Sequence, residues 1–180
     1  MATVPGLTID DFERLPEALA YNHELVDGEL VAVSGNNLQH NLLRGELESL
    51  LREHVNQCRL GVVVAEQEFD FGGNAHAPDI SFFGESKQAL RDLKLRVQRF
   101  VPDLAIEIVS ANDTFETLIK KAQRYRRSGT REVWILSLET RQALLPSDKR
   151  RVMLDENEEF CPETIPGFAI RIGDLLDRCS

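Results

Sequence analysis

The chain has 180 residues, 42% of them hydrophobic and 28% charged, enough to bury one core as a single domain over residues 1–180 without staples. With 30 acidic against 21 basic residues the net charge is -9, which excludes a protein that coats nucleic acid by displacing counterions over a basic surface. Cys58, Cys161 and Cys179 form no CxxC pair, Met1 is followed by polar and turn residues, and no apolar run approaches the ~20 residues of a membrane span. The expectation is a cytoplasmic protein with reduced thiols and no membrane contact.

Thr8-Ile9-Asp10-Asp11-Phe12-Glu13 reads as a short capped helix, with Thr8 as N-cap and Asp11 at the third helical position. His23–Val26 and Glu29–Val33 flank Asp27-Gly28, a type I′ hairpin signal because both turn residues need positive φ. From Asn37 to Asn56, leucines 38, 42, 43, 47, 50 and 51 and Val55 recur at helical spacing, giving a long amphipathic helix. Val62–Val64 and Glu66–Phe71 read as strands, the second stopped by Gly72-Gly73, and Ala77–Phe83 reads as another with a proline at its entrance. Leu104-Ala105-Ile106-Glu107-Ile108-Val109 is the most buried-looking strand, since a continuous apolar run implies cover on both faces. A helix follows over 114–128, closed by Gly129, then a second buried strand, Glu132–Leu136. Short strands and a final short helix near Ile172 to Leu176 complete the chain. Interleaved strands and helices with hairpins describe an α/β fold around a mixed sheet.

The chemistry concentrates at Pro78-Asp79 and Glu107. Two carboxylates on neighbouring strands suit Mg²⁺ or Mn²⁺, hard ions that take oxygen ligands and keep several waters. Asp79 alone reads better as a turn or cap residue after proline. Glu107 does not, because an ionised group in an apolar strand needs a metal, a cation or a raised pKa. The acidic balance is no obstacle to nucleic-acid chemistry, since a bound cation inverts the potential around clustered carboxylates.

A nuclease of the PD-(D/E)xK type carries its lysine two residues after the acid, and here that position is Val109. The following helix offers a substitute. Lys121 shares a stripe with Thr114, Thr117, Leu118 and Tyr125, and Leu118 turns that stripe toward the sheet. Lys120 lies about 100° round the helix, on the surface side. Two readings of Lys121 stand: an ammonium at the acidic pair, or a packed stem with a solvated head. The basic runs Lys120–Arg127 and Lys149-Arg150-Arg151 each have a solvated helix face or loop as an available reading, the favoured one for the second run.

These residues resemble the Uma2 family of endonucleases, also called DUF820, which has the restriction-endonuclease-like fold. The features that match are Glu24-Leu25-Val26-Asp27-Gly28-Glu29, His40 entering the long helix, and Pro78-Asp79-Ile80. They continue with Pro102-Asp103-Leu104-Ala105-Ile106-Glu107-Ile108-Val109-Ser110, then Lys121, Tyr125 and Gly129, and Glu132-Val133-Trp134-Ile135. The resemblance runs from Leu7 to Leu138 and rests on the ordered set rather than on any one piece. It implies an active site of Asp79, Glu107 and Lys121, with the lysine relocated to the helix, and it places Glu24 and His40 near the acidic core. For those two the residues leave an alternative open: an exposed glutamate before a turn, and a capping or packing histidine. The chain departs from the family pattern at Ala75-His76-Ala77, where an arginine is usual, and at Ser110-Ala111, where Ser-Pro is common.

The resulting expectation is a Mg²⁺- or Mn²⁺-dependent endonuclease cutting DNA, with Asp79 and Glu107 as metal ligands, Lys121 positioning water, and Tyr125 buttressing the helix. A non-catalytic binding or regulatory module on the same fold is the rival. A glycosidase-like hydrolase with paired carboxylates ranks last, with one Trp and two Tyr to serve as sugar platforms. Cutting both strands favours a two-fold homodimer.

Overall fold

A computed structural model of the protein describes residues 6–33, 35–110, 113–146 and 151–179. The first half comprises α1 (Ile9–Glu13), α2 (Glu17–Ala20), β1 (His23–Val26), β2 (Glu29–Ala32), α3 (Leu38–Cys58), β3 (Gly61–Ala65), β4 (Phe69–Asp70), β5 (Ala75–His76), β6 (Ile80–Gly84) and α4 (Glu85–Gln88). The second comprises β7 (Leu104–Ile108), α5 (Phe115–Arg127), β8 (Glu132–Ser137), β9 (Gln142–Pro146), β10 (Arg151–Leu154), β11 (Glu159–Phe160), β12 (Ile170–Arg171) and α6 (Ile172–Asp177). The Lys149-Arg150-Arg151 run and the Ser110-Ala111 step lie wholly or partly outside the described residues. No helix among them is long and apolar enough to cross a membrane.

A six-stranded mixed sheet in the order β10-β9-β8-β7-β6-β3 forms the centre, and β7 and β8 are its parallel pair. The crossover between those two strands is α5, the long connection that parallel neighbours require. Alternation along β7 divides the core. Leu104, Ile106 and Ile108 face the cluster that Leu43, Leu47, Leu51 and Val55 of α3 share with Leu175 and Leu176 of α6. Ala105 faces the opposite cluster, built from Leu118, Ala122 and Tyr125 of α5 with Phe69, Phe71 and Phe83. Glu107 belongs to that second face by period. The helices thus cover both sides of the sheet, as the apolar run in β7 requires.

Beside this centre stands an antiparallel sheet in the order β2-β1-β5-β4. Its hairpin turns on Asp27 (φ 50°) and Gly28 (φ 85°), the double positive φ expected of Asp-Gly. Gly28 also meets the backbone of Gly6, where an added Cβ would lie 2.9 Å from the Gly6 Cα. Arg124 of α5 ties the hairpin to the central sheet's helix layer, reaching Asp27 Oδ2 at 2.9 Å and also bonding Asn74 Oδ1. At the N-terminal end, Thr8 and Asp11 complete a capping box.

Two expected strands differ from their sequence reading. Glu66–Phe71 is not one strand: Glu66 turns at φ 51° and only Phe69–Asp70 pairs, in the smaller sheet. Ala77–Phe83 is strand only from Ile80: residues 77–79 connect β5 (Ala75–His76) of the smaller sheet to β6 (Ile80–Gly84) of the larger. The helices α2 and α4, of four residues each, carry no periodic signal.

Candidate active site

Strand register creates the acidic pair. Ile80 of β6 lies opposite Ile106 of β7 in an antiparallel ladder. One step beyond that pair brings the Asp79 backbone beside Glu107. The Asp79 carboxylate is then fixed from two sides: its Oδ2 accepts the Ile108 N–H at 2.7 Å, and its Oδ1 lies 3.3 Å from His40 Nε2. His40 Nε2 is shared with the Ile108 carbonyl oxygen at 3.1 Å, while its Nδ1 is buried without a hydrogen-bond partner. The His40 backbone N–H, in the first turn of α3, is capped by the Asn37 side chain. The histidine therefore straddles the helix start and the tip of β7.

Glu107 is 5% exposed and holds two partners from α5. Tyr125 donates its hydroxyl to Oε1 at 2.7 Å, and the Lys121 ammonium donates to Oε2 at 3.3 Å. Lys121 and Tyr125 are four residues apart and so lie one above the other on the helix face that packs on the sheet. Lys120, one position round, pairs instead with Glu116 on the surface. The helix is set by a capping box between Thr114 and Thr117, and by the Tyr125 ring stacked on Phe71 at 4.1 Å.

Glu24 enters from the smaller sheet. Its Oε1 lies 3.0 Å from the Lys121 ammonium and its Oε2 lies 2.9 Å from His76 Nδ1. The ammonium thus sits between two carboxylates. Glu24 is not the exposed pre-turn glutamate that the sequence left open, nor is His40 a packing histidine remote from the acids. The structure brings Asp79, Glu107, Lys121, Glu24, His40 and Tyr125 into one cluster. His76 is the member for which the sequence left a metal ligand or no role as alternatives. Its one signal was a histidine between two alanines, just before Pro78-Asp79.

Charge does not balance in this cluster. Burial works to raise Glu24, but Lys121 and His76 outweigh it and hold the carboxyl at about 2. Glu107 goes the other way: burial, reinforced by the charges of Asp79 and Glu24, pushes it up to about 7 in spite of Lys121. Burial works against the Lys121 ammonium, yet Glu107 and Glu24 raise its pKa above the usual lysine range. Tyr125, buried beside Glu107, is raised well above a normal phenol and stays a donor. Burial lowers His40, but its contact with Asp79 wins and raises it. Burial lowers His76 despite Glu24. Glu24 and Glu107 flank the one ammonium, and burial of Glu107, reinforced by the charges of Asp79 and Glu24, outweighs what Lys121 returns to it.

The family model Uma2, described as "putative restriction endonuclease", matches residues 9–173. The chain belongs to the Uma2 family. A solved structure described as a "putative nuclease belonging to DUF820", from Anabaena variabilis ATCC 29413, superposes on this Uma2 chain with a TM-score of 0.85 at 22% identity. The match covers 97% of this chain and 99% of that one, so the two share the fold over their whole lengths. No curated protein matches the sequence. The restriction-endonuclease-like architecture is therefore that of this Uma2 chain, with its mixed central sheet, flanking helices and added small sheets.

Proposed function

We propose that this single-domain Uma2 chain is a divalent-metal-dependent endonuclease that hydrolyses DNA phosphodiester bonds. The observation that carries the reading is that Lys121, from a helix, brings to Glu107 the ammonium that Val109 does not supply, with Asp79 just before the neighbouring strand β6. The donor set suits a hard cation. Asp79, one residue before β6, acts electrostatically on Glu107 in β7, and burial, reinforced by the charges of Asp79 and Glu24, raises Glu107 to about 7, an environment that a bound cation would relieve. Among the described residues no group of three or more His, Cys, Asp or Glu side chains could hold a metal ion by itself. Asp79 and Glu107 would hold it as a pair, with water completing the shell, the arrangement Mg²⁺ and Mn²⁺ accept.

Such an ion, when bound, polarises a phosphoryl oxygen and lowers the pKa of water. The chain's own residues do the rest. Lys121 is placed to orient the attacking water and to stabilise charge developing on phosphate. Tyr125 fixes one Glu107 oxygen so that the other faces the ammonium. Glu24 would hold the ammonium through its 3.0 Å contact with Lys121. His40 and the Ile108 N–H hold Asp79 in one rotamer.

Purified protein should nick or cut plasmid DNA with Mg²⁺ or Mn²⁺ and not with EDTA. Asp79→Ala, Glu107→Ala and Lys121→Ala should each abolish cleavage while keeping the wild-type circular dichroism spectrum. No cleavage across varied DNA and RNA substrates would sink the enzyme reading. It would favour the second, a non-catalytic module on the same fold, for which the net charge of -9 speaks. Cutting both strands calls for two sites, so the proposal includes a two-fold homodimer, checked by sedimentation.

A further inference from the structure

We propose that His76 is a positioning residue: from β5 it clamps Glu24, and through Glu24 it fixes the Lys121 ammonium against Glu107. The inference rests on the nuclease reading for its effect on turnover, but the clamp itself stands on geometry.

The register of the smaller sheet puts the two residues together. Leu25 of β1 pairs with Ala75 of β5 in an antiparallel ladder, so the next step sets Glu24 opposite His76. His76 Nδ1 lies 2.9 Å from Glu24 Oε2, although its N–H does not aim squarely at the oxygen. The ring is 3% exposed and closed in by aromatic neighbours, with centroids 5.9 Å from Phe71 and 5.6 Å from Tyr125. Neither ring nitrogen has an aligned hydrogen bond among the described residues, and the Glu24 carboxylate lies at polar contact distance from Nδ1. Phe71 and Tyr125 stack on each other, so the slot is rigid.

Filling the aromatic slot does not call for an imidazole, since an apolar side chain would do so without an unpaired polar atom. What the imidazole adds is one polar contact to Glu24. The two Glu24 oxygens divide their work, Oε2 toward His76 and Oε1 toward Lys121 at 3.0 Å. Freeing Oε2 frees the carboxylate to rotate, and with it one of the two anions that hold the ammonium. Lys121 then rests on Glu107 alone at 3.3 Å.

The test compares His76→Leu, His76→Asn and His76→Gln with wild type. Asn places an amide N–H where Nδ1 stands, whereas Gln reaches only the position of Nε2. The first readout is the ¹⁵N signal of the Lys121 ammonium in metal-free protein, assigned by its loss in Lys121→Met. Wild type and His76→Asn should show a resolved, slowly exchanging ammonium, and His76→Leu and His76→Gln should not. The second is Mn²⁺-dependent plasmid cleavage. His76→Leu and His76→Gln should lose about a hundredfold in kcat with KM little changed, the cost of a misplaced group, while His76→Asn recovers most of it. If His76→Leu does not fold, the Asn and Gln pair decides. Equal signals and rates in Asn and Gln, a wild-type ammonium in His76→Leu, or no resolved ammonium in wild type would overturn the clamp. If wild type cuts nothing, the nuclease reading fails alone and the ammonium signal still decides the clamp.

Discussion

Replacing Glu107 by glutamine should stabilise the metal-free protein at alkaline pH, although it removes a residue placed at the centre of the site. The carboxyl rises from 4.5 in the unfolded chain to about 7 in the fold, with burial the largest cause. For an acid whose folded pKa is raised, folding carries no penalty from this group below pH 4.5. The penalty grows as pH climbs toward 7 and is complete above it. A shift of that size corresponds to at most about 3 kcal/mol. Glutamine escapes this cost, since it is neutral and can still accept from the Tyr125 hydroxyl, whose oxygen lies 2.7 Å from Glu107 Oε1. It gives some back, because its amide would face the Lys121 ammonium where Oε2 now sits at 3.3 Å. The net gain should be about 2 kcal/mol at pH 8, or roughly 5 °C in Tm for a chain of this size. Urea denaturation in EDTA at pH 8 and pH 5 measures it, with the gain shrinking at the lower pH. A variant at least 1 kcal/mol less stable than wild type at pH 8 would refute the burial argument and make Glu107 an ordinary compensated ion pair.

Tyr125→Phe keeps the ring on Phe71 but removes the hydroxyl from Glu107. Loss of a hydrogen bond to a carboxylate should cost about 2 kcal/mol; an unchanged urea midpoint would deny that bond its place. His40 is raised by Asp79, so its contribution to stability is complete below pH 6.5 and fades as pH rises through its folded value. His40→Gln should flatten that part of the metal-free stability profile between pH 6 and 9, and a profile parallel to wild type would contradict it. Far from the site, buried Glu132 accepts from Trp134 Nε1 at 2.7 Å and from the Thr164 N–H and hydroxyl at 3.0 and 2.9 Å. Glu132→Ala strands these donors and should cost about 3–4 kcal/mol by calorimetry without altering metal binding. A loss below 1 kcal/mol would show that water replaces the carboxylate there.

Local signals proved reliable where one segment carries the whole reason for its shape. Thr8 with Asp11, and Asp27 with Gly28, specify their cap and turn from within a few residues. The stretch Glu66–Phe71 misled because its partner is remote: the Glu68 carbonyl accepts from the Gln98 N–H, and the Asp70 N–H returns to the Gln98 carbonyl. Nothing near residue 68 announces a partner thirty residues on. Pro78 was read as a strand entrance, but it separates two sheets, a choice made by tertiary packing. At the site, Glu107 was legible because a charge inside an apolar strand demands a counterpart, and Lys121 because helical spacing put it on the buried stripe. Glu24 and His40 were expected there through the family resemblance alone and the role of His76 was left open, since their nearness depends on how a second sheet and the start of α3 meet β7.

The central claim is that Asp79 and Glu107 together bind one divalent cation. Anomalous diffraction from crystals soaked in Mn²⁺ tests it most directly, with Asp79→Asn and Glu107→Gln crystals treated alike. One peak per chain is expected in wild type, within about 2.0–2.3 Å of an oxygen of each carboxylate, and none at that place in either variant. No peak between the two carboxylates at millimolar Mn²⁺, with Lys121 still seated on Glu107, would contradict it.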